Sequence, residues 1–186
     1  MKIMQWKIKK LLFSIVFIII LYLLMRKRYN NHYDFVKLQD VKPAEAWEYV
    51  ADFSNMKTLN PTIVDFNIIS ESGNYDHWKY TVKYDEHLSH WPYLSNEAIA
   101  NFDVKSTSDV HYINSEHNTC LFNWFCLKSI SEMKFTKTEN RNEVLVEESI
   151  QYECPAVLSA LCYREVKYQR NAIMKNLKLH FQYKHN

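Results

Sequence analysis

Glycine is almost absent from this chain, and its scarcity removes several classes of function. Among 186 residues there is one glycine, Gly73, where average usage would give about 7%. A phosphate-binding P-loop, a Gly-rich dinucleotide turn, a nucleophile elbow and a kinase glycine loop each need glycines that the chain lacks. An EF-hand loop is excluded as well, because no ladder of acidic residues precedes Gly73.

The chain also lacks the spacings of common metal sites and catalytic pairs. No two cysteines form a C-x-x-C pair, and His87 and His90 have no third ligand at a recognisable interval. No motif places a serine or cysteine beside a histidine. We therefore predict no metal, no cofactor and no catalytic residue. The four cysteines are expected to be small core residues, with pairing left open: Cys120, Cys126, Cys154 and Cys162.

Basic charge is concentrated at the N-terminus. Residues 1–28 hold seven of the 23 Lys and Arg residues and none of the 21 Asp and Glu residues, so residues 29–186 carry 16 basic and 21 acidic side chains. A protein that binds nucleic acid needs an excess of positive charge on its binding face. The acidic balance of residues 29–186 predicts that nucleic acid is not a partner.

One long hydrophobic run, Leu11–Met25, contains 15 residues without charge. Basic residues flank it on both sides, which is typical of a membrane segment whose lysines and arginines reach the interface. We predict an anchor at residues 1–28 that contacts the bilayer through residues 8–28, and a linker at 29–32. This makes the chain a single-pass membrane protein. A cleaved signal peptide is the alternative, but Met25-Arg26-Lys27-Arg28-Tyr29 offers no small-residue cleavage site.

The side of the membrane on which the domain lies stays open. Counting positive residues favours a cytosolic N-terminus, and hence a domain on the far side. The only N-x-S/T sequence is Asn60-Pro61-Thr62, which proline disqualifies for glycosylation. This absence favours a cytosolic domain.

The remaining pattern predicts one α+β domain over residues 33–186. A strand-like run covers 33–39, Pro43 opens a helical pattern, and a second helical turn covers 55–59. From Val64 the period changes to two, and short polar connections, one of them at 116–118, separate six antiparallel strands. A long helix from Pro155 to Tyr183 follows, with one apolar stripe: Leu158, Cys162, Val166, Ile173, Leu177 and Phe181.

This element order resembles the helix-grip fold of the START/Bet v 1-like (SRPBCC) superfamily. The segment from Val41 to Pro61 is similar to the opening of polyketide cyclase/dehydrase-like members, with a Pro-x-x-x-Trp helix, a D-F-S-N turn and then Asn60-Pro61. The resemblance covers about residues 33–183 and implies a curved antiparallel sheet packed on the C-terminal helix. It further implies a cavity between them that binds a hydrophobic small molecule such as a lipid or sterol.

The strand alternation supplies candidates for the cavity lining. A single carboxylate, Glu148, falls in the inward register of the last strand, where it could orient a ligand hydroxyl. The residues from Asp85 to Leu94 form a candidate gate loop, because their apolar side chains lie between two strands: Leu88, Trp91, Tyr93 and Leu94. The predicted ligand-binding residues share the apolar register of the sheet: Trp78, Tyr80, Tyr84, Phe102, Val104, Val146, Glu148, Ile150 and Tyr152.

Three functions are compatible with the predicted fold and its candidate cavity. The first is binding or transfer of a hydrophobic molecule without catalysis, by a membrane-anchored domain. The second is a polyketide cyclase/dehydrase-like enzyme that uses Glu148 or a tyrosine. The third is a membrane-tethered interaction domain whose core is filled, so that the same aromatic residues pack against each other.

Overall fold

The computed structural model describes residues 2–121, 124–139 and 142–184. From the first strand onward, the element order is the predicted one, with an added 3-10 helix, Ala156–Leu158, before the last helix. The helices are α1 Lys2–Met25, α2 Pro43–Ala51, α3 Phe53–Leu59 and α4 Ser159–Lys184. The strands are β1 Lys27–Gln39, β2 Ile63–Asn74, β3 His77–Leu88, β4 Trp91–Ser106, β5 Val110–Leu121, β6 Phe125–Lys137 and β7 Glu143–Pro155.

The seven strands form one antiparallel sheet in the order β1-β7-β6-β5-β4-β3-β2. Strands β2 to β7 each pair with their neighbour in sequence, as short connections favour. The first strand instead pairs with the last, with Val36 opposite Val146. This pairing places β1 at one edge of the sheet and β2 at the other. The predicted α+β class and antiparallel sheet are confirmed.

The inner face of the sheet packs against α2, α3 and α4. Strand β3 has one solvent-exposed face and one buried face, so its buried residues alternate: Tyr80, Val82 and Tyr84. The stripe of α4 supplies Ile173 and Leu177 to the same core. The long helix therefore lies over the inner face of the sheet.

The sequence-based expectation of a membrane anchor was wrong. Within the part of the chain that the structure describes, no helix is long and apolar enough to cross a membrane. The physical reason is length: the uncharged run Leu11–Met25 spans only about 22 Å as a helix, against about 30 Å of hydrocarbon. The predicted single-pass membrane location and the bilayer contact through residues 8–28 are therefore withdrawn. Residues 29–32 are not a linker either, because they pair with β7 as part of β1.

All four cysteines form disulfides, a pairing that the sequence left open. Cys120 and Cys126 face each other across the β5–β6 ladder and form one disulfide. Cys154, at the end of β7, is bonded to Cys162 in the first turn of α4, with Cα atoms 6.3 Å apart. The second disulfide fixes the start of the long helix against the sheet.

Candidate ligand cavity

A cavity of about 150 Å³ lies between the sheet and the first half of α4. An engineered apolar cavity of this size holds a benzene-sized molecule, whereas drug-sized ligands occupy about 300–1,000 Å³. The cavity therefore has room for one small ring system, and a larger ligand requires the walls to move. Its apolar wall consists of Leu88, Leu121, Leu127, Ile150, Tyr152, Leu158, Leu161 and Val166.

A second space of about 40 Å³ adjoins the cavity. Tyr84, His117 and Arg170 line both, so they form the boundary between the two. The smaller space also has polar walls, including Ser115 and Glu148. The combined cavity thus has an apolar body and one polar end.

At the polar end, Tyr84 of β3 meets His117 of β5 above the intervening strand. The Tyr84 hydroxyl and His117 Nδ1 are 2.9 Å apart. Strand β4 lies between β3 and β5, so the backbones of these two strands are two strand spacings apart, or about 10 Å. The β4 residues opposite them are Ala98 and Ala100, both fully buried. Because alanine side chains are short, the two rings can approach over β4.

The contact between Tyr84 and His117 extends into a chain of hydrogen bonds. His117 Nε2 is 2.8 Å from the Ser115 hydroxyl, which is 2.9 Å from the Ser131 hydroxyl. Burial, together with the nearby Arg170 guanidinium, lowers the pKa of His117 to about 3. The imidazole is therefore neutral near pH 7, with one nitrogen donating and the other accepting.

An ion pair crosses from α4 to β7 at the same polar end. Arg170 Nη1 donates to Glu148 Oε1 at 2.8 Å, and the two side chains are 15% and 2% exposed. The second carboxylate oxygen, Glu148 Oε2, and the Arg170 Nε–H are buried without a hydrogen-bond partner. These two unpaired atoms are the feature that distinguishes the site from an ordinary core ion pair.

A second carboxyl, Glu86 of β3, lines the larger cavity and is 7% exposed. Burial raises the pKa of Glu86 to about 7, with Glu165 adding to the shift and Arg170 opposing it. Near neutral pH this carboxyl is thus divided between its acid and its ionised form. Either form faces the cavity.

The tip of the β3–β4 hairpin, Ser89 and His90, contacts α4. The carboxylate of Glu165, on α4, accepts hydrogen bonds from the Ser89 backbone N–H at 2.9 Å and from the Ser89 hydroxyl at 2.7 Å. The neighbouring His90 ring lies edge-on to Tyr168 of α4, with centroids 6.0 Å apart. These contacts hold the hairpin tip on the helix.

The predicted lining residues fall into three groups. Tyr84, Phe102, Glu148, Ile150 and Tyr152 lie on the walls of the two spaces. A second group lies in the solid core: Tyr80, Val104 and Val146. Trp78 is elsewhere, in a groove between α2 and the β2–β3 hairpin. Their role in ligand binding stays a prediction.

The predicted gate loop is not a loop. Strand β3 continues to Leu88 and β4 begins at Trp91, so only Ser89 and His90 form the turn. A register shift between His87 and Leu88 lets the ladder continue into this short connection. Of the predicted gate residues, Leu88 lines the cavity, whereas Tyr93 is 97% exposed. The two remaining gate residues, Trp91 and Leu94, do not line the cavity.

Among the site residues that sequence reasoning missed, three interrupt an apolar pattern. His117 was assigned to a connection at 116–118, yet it continues the inward alternation of Ile113 and Ser115. Arg170 stands in the apolar stripe of α4, four residues after Val166 and three before Ile173. Glu86 continues the inward series of β3 after Tyr84. In each case the signal was a polar residue at a position where the alternation of the strand or the apolar stripe of the helix predicts an apolar residue.

Comparison with solved structures supports the same fold. A START superfamily protein from Mycobacterium smegmatis superposes with a TM-score of 0.59 at 12% identity, covering 82% of this chain and 97% of that one. The di-domain ARO/CYC BexL from the BE-7585A biosynthetic pathway gives a TM-score of 0.58 at 9% identity, covering 82% of this chain and 50% of the other. Norcoclaurine synthase from Thalictrum flavum, as a point mutant with a transition-state analogue, gives 0.55 at 8% identity, with coverage of 87% and 99%.

The chain therefore has the helix-grip fold, and the resemblance to the START/Bet v 1-like superfamily is confirmed at the level of the fold. No family sequence model matches the chain, and neither does any curated protein sequence. The similarity is thus one of three-dimensional structure.

Proposed function

We propose that this protein binds an apolar small molecule between the sheet and α4. The observation that carries the proposal is a cavity of about 150 Å³ with an apolar body and a buried polar end. A solid core would have filled this space, because protein interiors pack as densely as organic crystals. The third candidate function, an interaction domain with a filled core, fits these walls less well.

The unpaired polar atoms also support a bound ligand. Glu148 Oε2 and Asn96 Oδ1 are buried without a partner on side chains that line the two spaces. Leaving such an atom unsatisfied costs about 1–3 kcal/mol. A polar group of a ligand in either space would hydrogen-bond to the unpaired atom there, and the apolar body of the ligand would occupy the space beside Ile150 and Val166.

Filling the cavity is expected to weaken the binding of a hydrocarbon. Val166→Trp places a large ring where the cavity now is, so the affinity for naphthalene should fall at least about tenfold. The matched control is Val157→Trp, because Val157 is 52% exposed and does not line the cavity. Titration of the three proteins with naphthalene, followed by tryptophan fluorescence, measures the difference. Equal affinities in both variants would contradict the proposal.

A second function, acid–base catalysis on the bound molecule, is favoured by Glu86. This carboxyl faces the cavity with a pKa of about 7, which suits a general base or acid at neutral pH. Glu148 is the weaker candidate, because its charge is already paired with Arg170. In such a step the ionised carboxylate removes a C–H proton beside a carbonyl, the electron pair moves to the carbonyl oxygen, and the acid then returns a proton to carbon.

Proton exchange tests this second function without knowledge of the natural substrate. The apolar ketone 2-tetralone, incubated with the protein in D₂O, should exchange its α-protons faster than in buffer. Glu86→Gln should remove the acceleration, whereas Glu132→Gln, on an exposed surface pair, should retain it. If the wild-type protein gives only the buffer rate, this catalytic function is rejected and ligand binding alone remains.

A further inference from the structure

We propose that the groove between α2 and the β2–β3 hairpin binds a small organic cation, at a site separate from the cavity between the sheet and α4. The groove has a volume of about 620 Å³, which is within the range of small-molecule sites. None of the described residues that line it also lines the cavity or the smaller space beside the cavity. The inference therefore goes beyond the function proposed for the cavity and does not depend on it.

Three aromatic rings line the groove, and contacts within the fold hold them in place: Trp47, Tyr75 and Trp78. The Tyr75 ring is 64% exposed and lies edge-on to the buried Trp47 ring of α2, with centroids 5.8 Å apart. The Tyr75 hydroxyl also donates to the carboxylate of Glu48. The Trp78 ring packs on Tyr80, with centroids 5.0 Å apart. Because the rings are already positioned, a ligand would not have to order them on binding.

The single glycine of the chain shapes the turn that carries Tyr75. Gly73 lies opposite Trp78 in the β2–β3 ladder, and its φ is +112°. A Cβ atom at this position would collide with the carbonyl oxygen of His77. Only glycine therefore allows the tight turn that brings Tyr75 to the same groove as Trp78.

The charge around the groove is negative. Glu48 of α2 and Glu71 of β2 line it, and no Lys, Arg or His is among its described lining residues. In the described part of the chain, neither of these carboxylates takes part in an ion pair. Two further carboxylates act through their charge on the tyrosines of this region: Asp52 and Asp76. A cation in the groove would be attracted by these groups and would meet no positive charge on its walls.

An organic ammonium ion fits these walls better than a metal ion does. A hard metal ion needs several oxygen ligands, and the described residues contain no group of three or more His, Cys, Asp or Glu side chains that could hold one. An alkylammonium ion is attracted by the faces of tyrosine and tryptophan rings as well as by carboxylates. Its carbon atoms can also cover the apolar surface of Ala51. The groove thus combines an attraction for positive charge with an attraction for apolar surface.

Two probes of the same shape separate these two attractions: 4-hydroxy-1,1-dimethylpiperidinium and 4,4-dimethylcyclohexanol. They differ only in that a positively charged nitrogen replaces a carbon atom. With the full chain at neutral pH and about 20 mM salt, where screening is weak, we expect the cation to bind at least about fivefold more tightly than the alcohol. Shifts of the Ala51 methyl and Trp78 indole NMR signals measure binding in the groove. The cation should leave the methyl signals of Ile150, in the cavity, unchanged.

Two variants test whether the groove supplies the selection. Tyr75→Leu removes an exposed ring, and Glu71→Gln removes an exposed charge, so both variants should fold. We expect each to weaken binding of the cation at least about threefold and to bring its affinity closer to that of the alcohol. The matched controls are Tyr93→Leu and Glu132→Gln, which change an exposed ring and an exposed carboxylate outside the groove and should keep the wild-type affinity.

A third probe, phosphocholine, separates a free cation from a headgroup that carries the same cationic chemistry. Its phosphate would lie among the carboxylates of the groove, so it should bind more weakly than the piperidinium ion. If phosphocholine binds at least as tightly, the proposal of a free cation is overturned.

Equal affinities of the cation and the alcohol, or a preference for the cation that survives both Tyr75→Leu and Glu71→Gln, would also overturn the inference. If Tyr75→Leu does not fold, the pair of probes and Glu71→Gln still decide. Binding of naphthalene in the cavity is a separate result, so failure of either site leaves the other standing.

Discussion

Replacing Arg170 with methionine is expected to lower the free energy of unfolding by about 3–5 kcal/mol. The side chain of Glu148 is 2% exposed, and Arg170 is its ion-pair partner. Without the guanidinium, a charged carboxylate remains in a water-poor site where one of its oxygens is already unpaired. Equilibrium unfolding in urea, followed by circular dichroism, measures the loss.

The double variant Arg170→Met with Glu148→Leu is expected to recover most of that stability. Replacing both members of a buried pair by apolar residues is often neutral or stabilising, because no charge is left to desolvate. The matched surface control is Lys134→Met, whose pair with Glu132 is 42% and 46% exposed and should contribute less than about 1 kcal/mol. A cost below about 1 kcal/mol for Arg170→Met would show that the pair is hydrated.

The Glu86 carboxyl is expected to make stability fall as the pH rises. Burial raises its pKa from 4.5 to about 7, so the folded chain keeps a proton that the unfolded chain has lost. The full contribution of Glu86 to the free energy of unfolding is therefore present below about pH 4.5, and it is lost as the pH rises to about 7. Above pH 7 the free energy of unfolding is lower by about 3 kcal/mol. Glu86→Gln should be more stable than wild type by about this amount at pH 8 and about equal at pH 4.

His117 changes the stability with pH in the opposite direction, so its effect must be separated from that of Glu86. Its pKa is lowered from 6.5 to about 3, so the folded state resists protonation and loses stability as the pH falls below about 6.5. Since Glu86→Gln retains His117, the difference between the two unfolding curves isolates Glu86. A difference that stays constant from pH 4 to pH 8 would contradict the assigned environment of Glu86.

The order of the elements and the inward register of Glu148 could be predicted from the sequence. Alternation of apolar and polar residues is a local signal, and the buried positions Tyr80, Val82 and Tyr84 follow it directly. The helical stripe of α4 is equally local. Both patterns indicate which face of an element is buried, and the alternation along β7 places Glu148 on the buried face of the sheet.

The polar end of the cavity could not be predicted in the same way. His117 lies in a polar segment, Glu116-His117-Asn118, which is typical of a connection, and only the ladder partners of β5 keep it extended. Its bond to Tyr84 joins two strands that are not adjacent, so no local pattern encodes it. The charge of Arg170 is compatible with the stripe of α4 only because Glu148 lies opposite.

The volume of the cavity is likewise a property of the assembled walls. Ala98 and Ala100 are typical core residues in sequence, yet their small size gives the rings of Tyr84 and His117 room to meet above β4. The disulfide between Cys154 and Cys162 depends on where α4 begins, which no cysteine spacing fixes. These features depend on how segments far apart in the sequence are placed relative to one another, so local sequence patterns do not predict them.

Methyl NMR with naphthalene as the ligand tests the central claim most directly, because it locates the bound molecule. If the ligand occupies the cavity, intermolecular NOEs should reach the methyl groups of Ile150, Leu158 and Val166, and not the exposed methyls of Val157. NOEs confined to the exposed apolar side chains of α1, or no NOEs to the cavity methyls at saturating ligand, would contradict a ligand site between the sheet and α4.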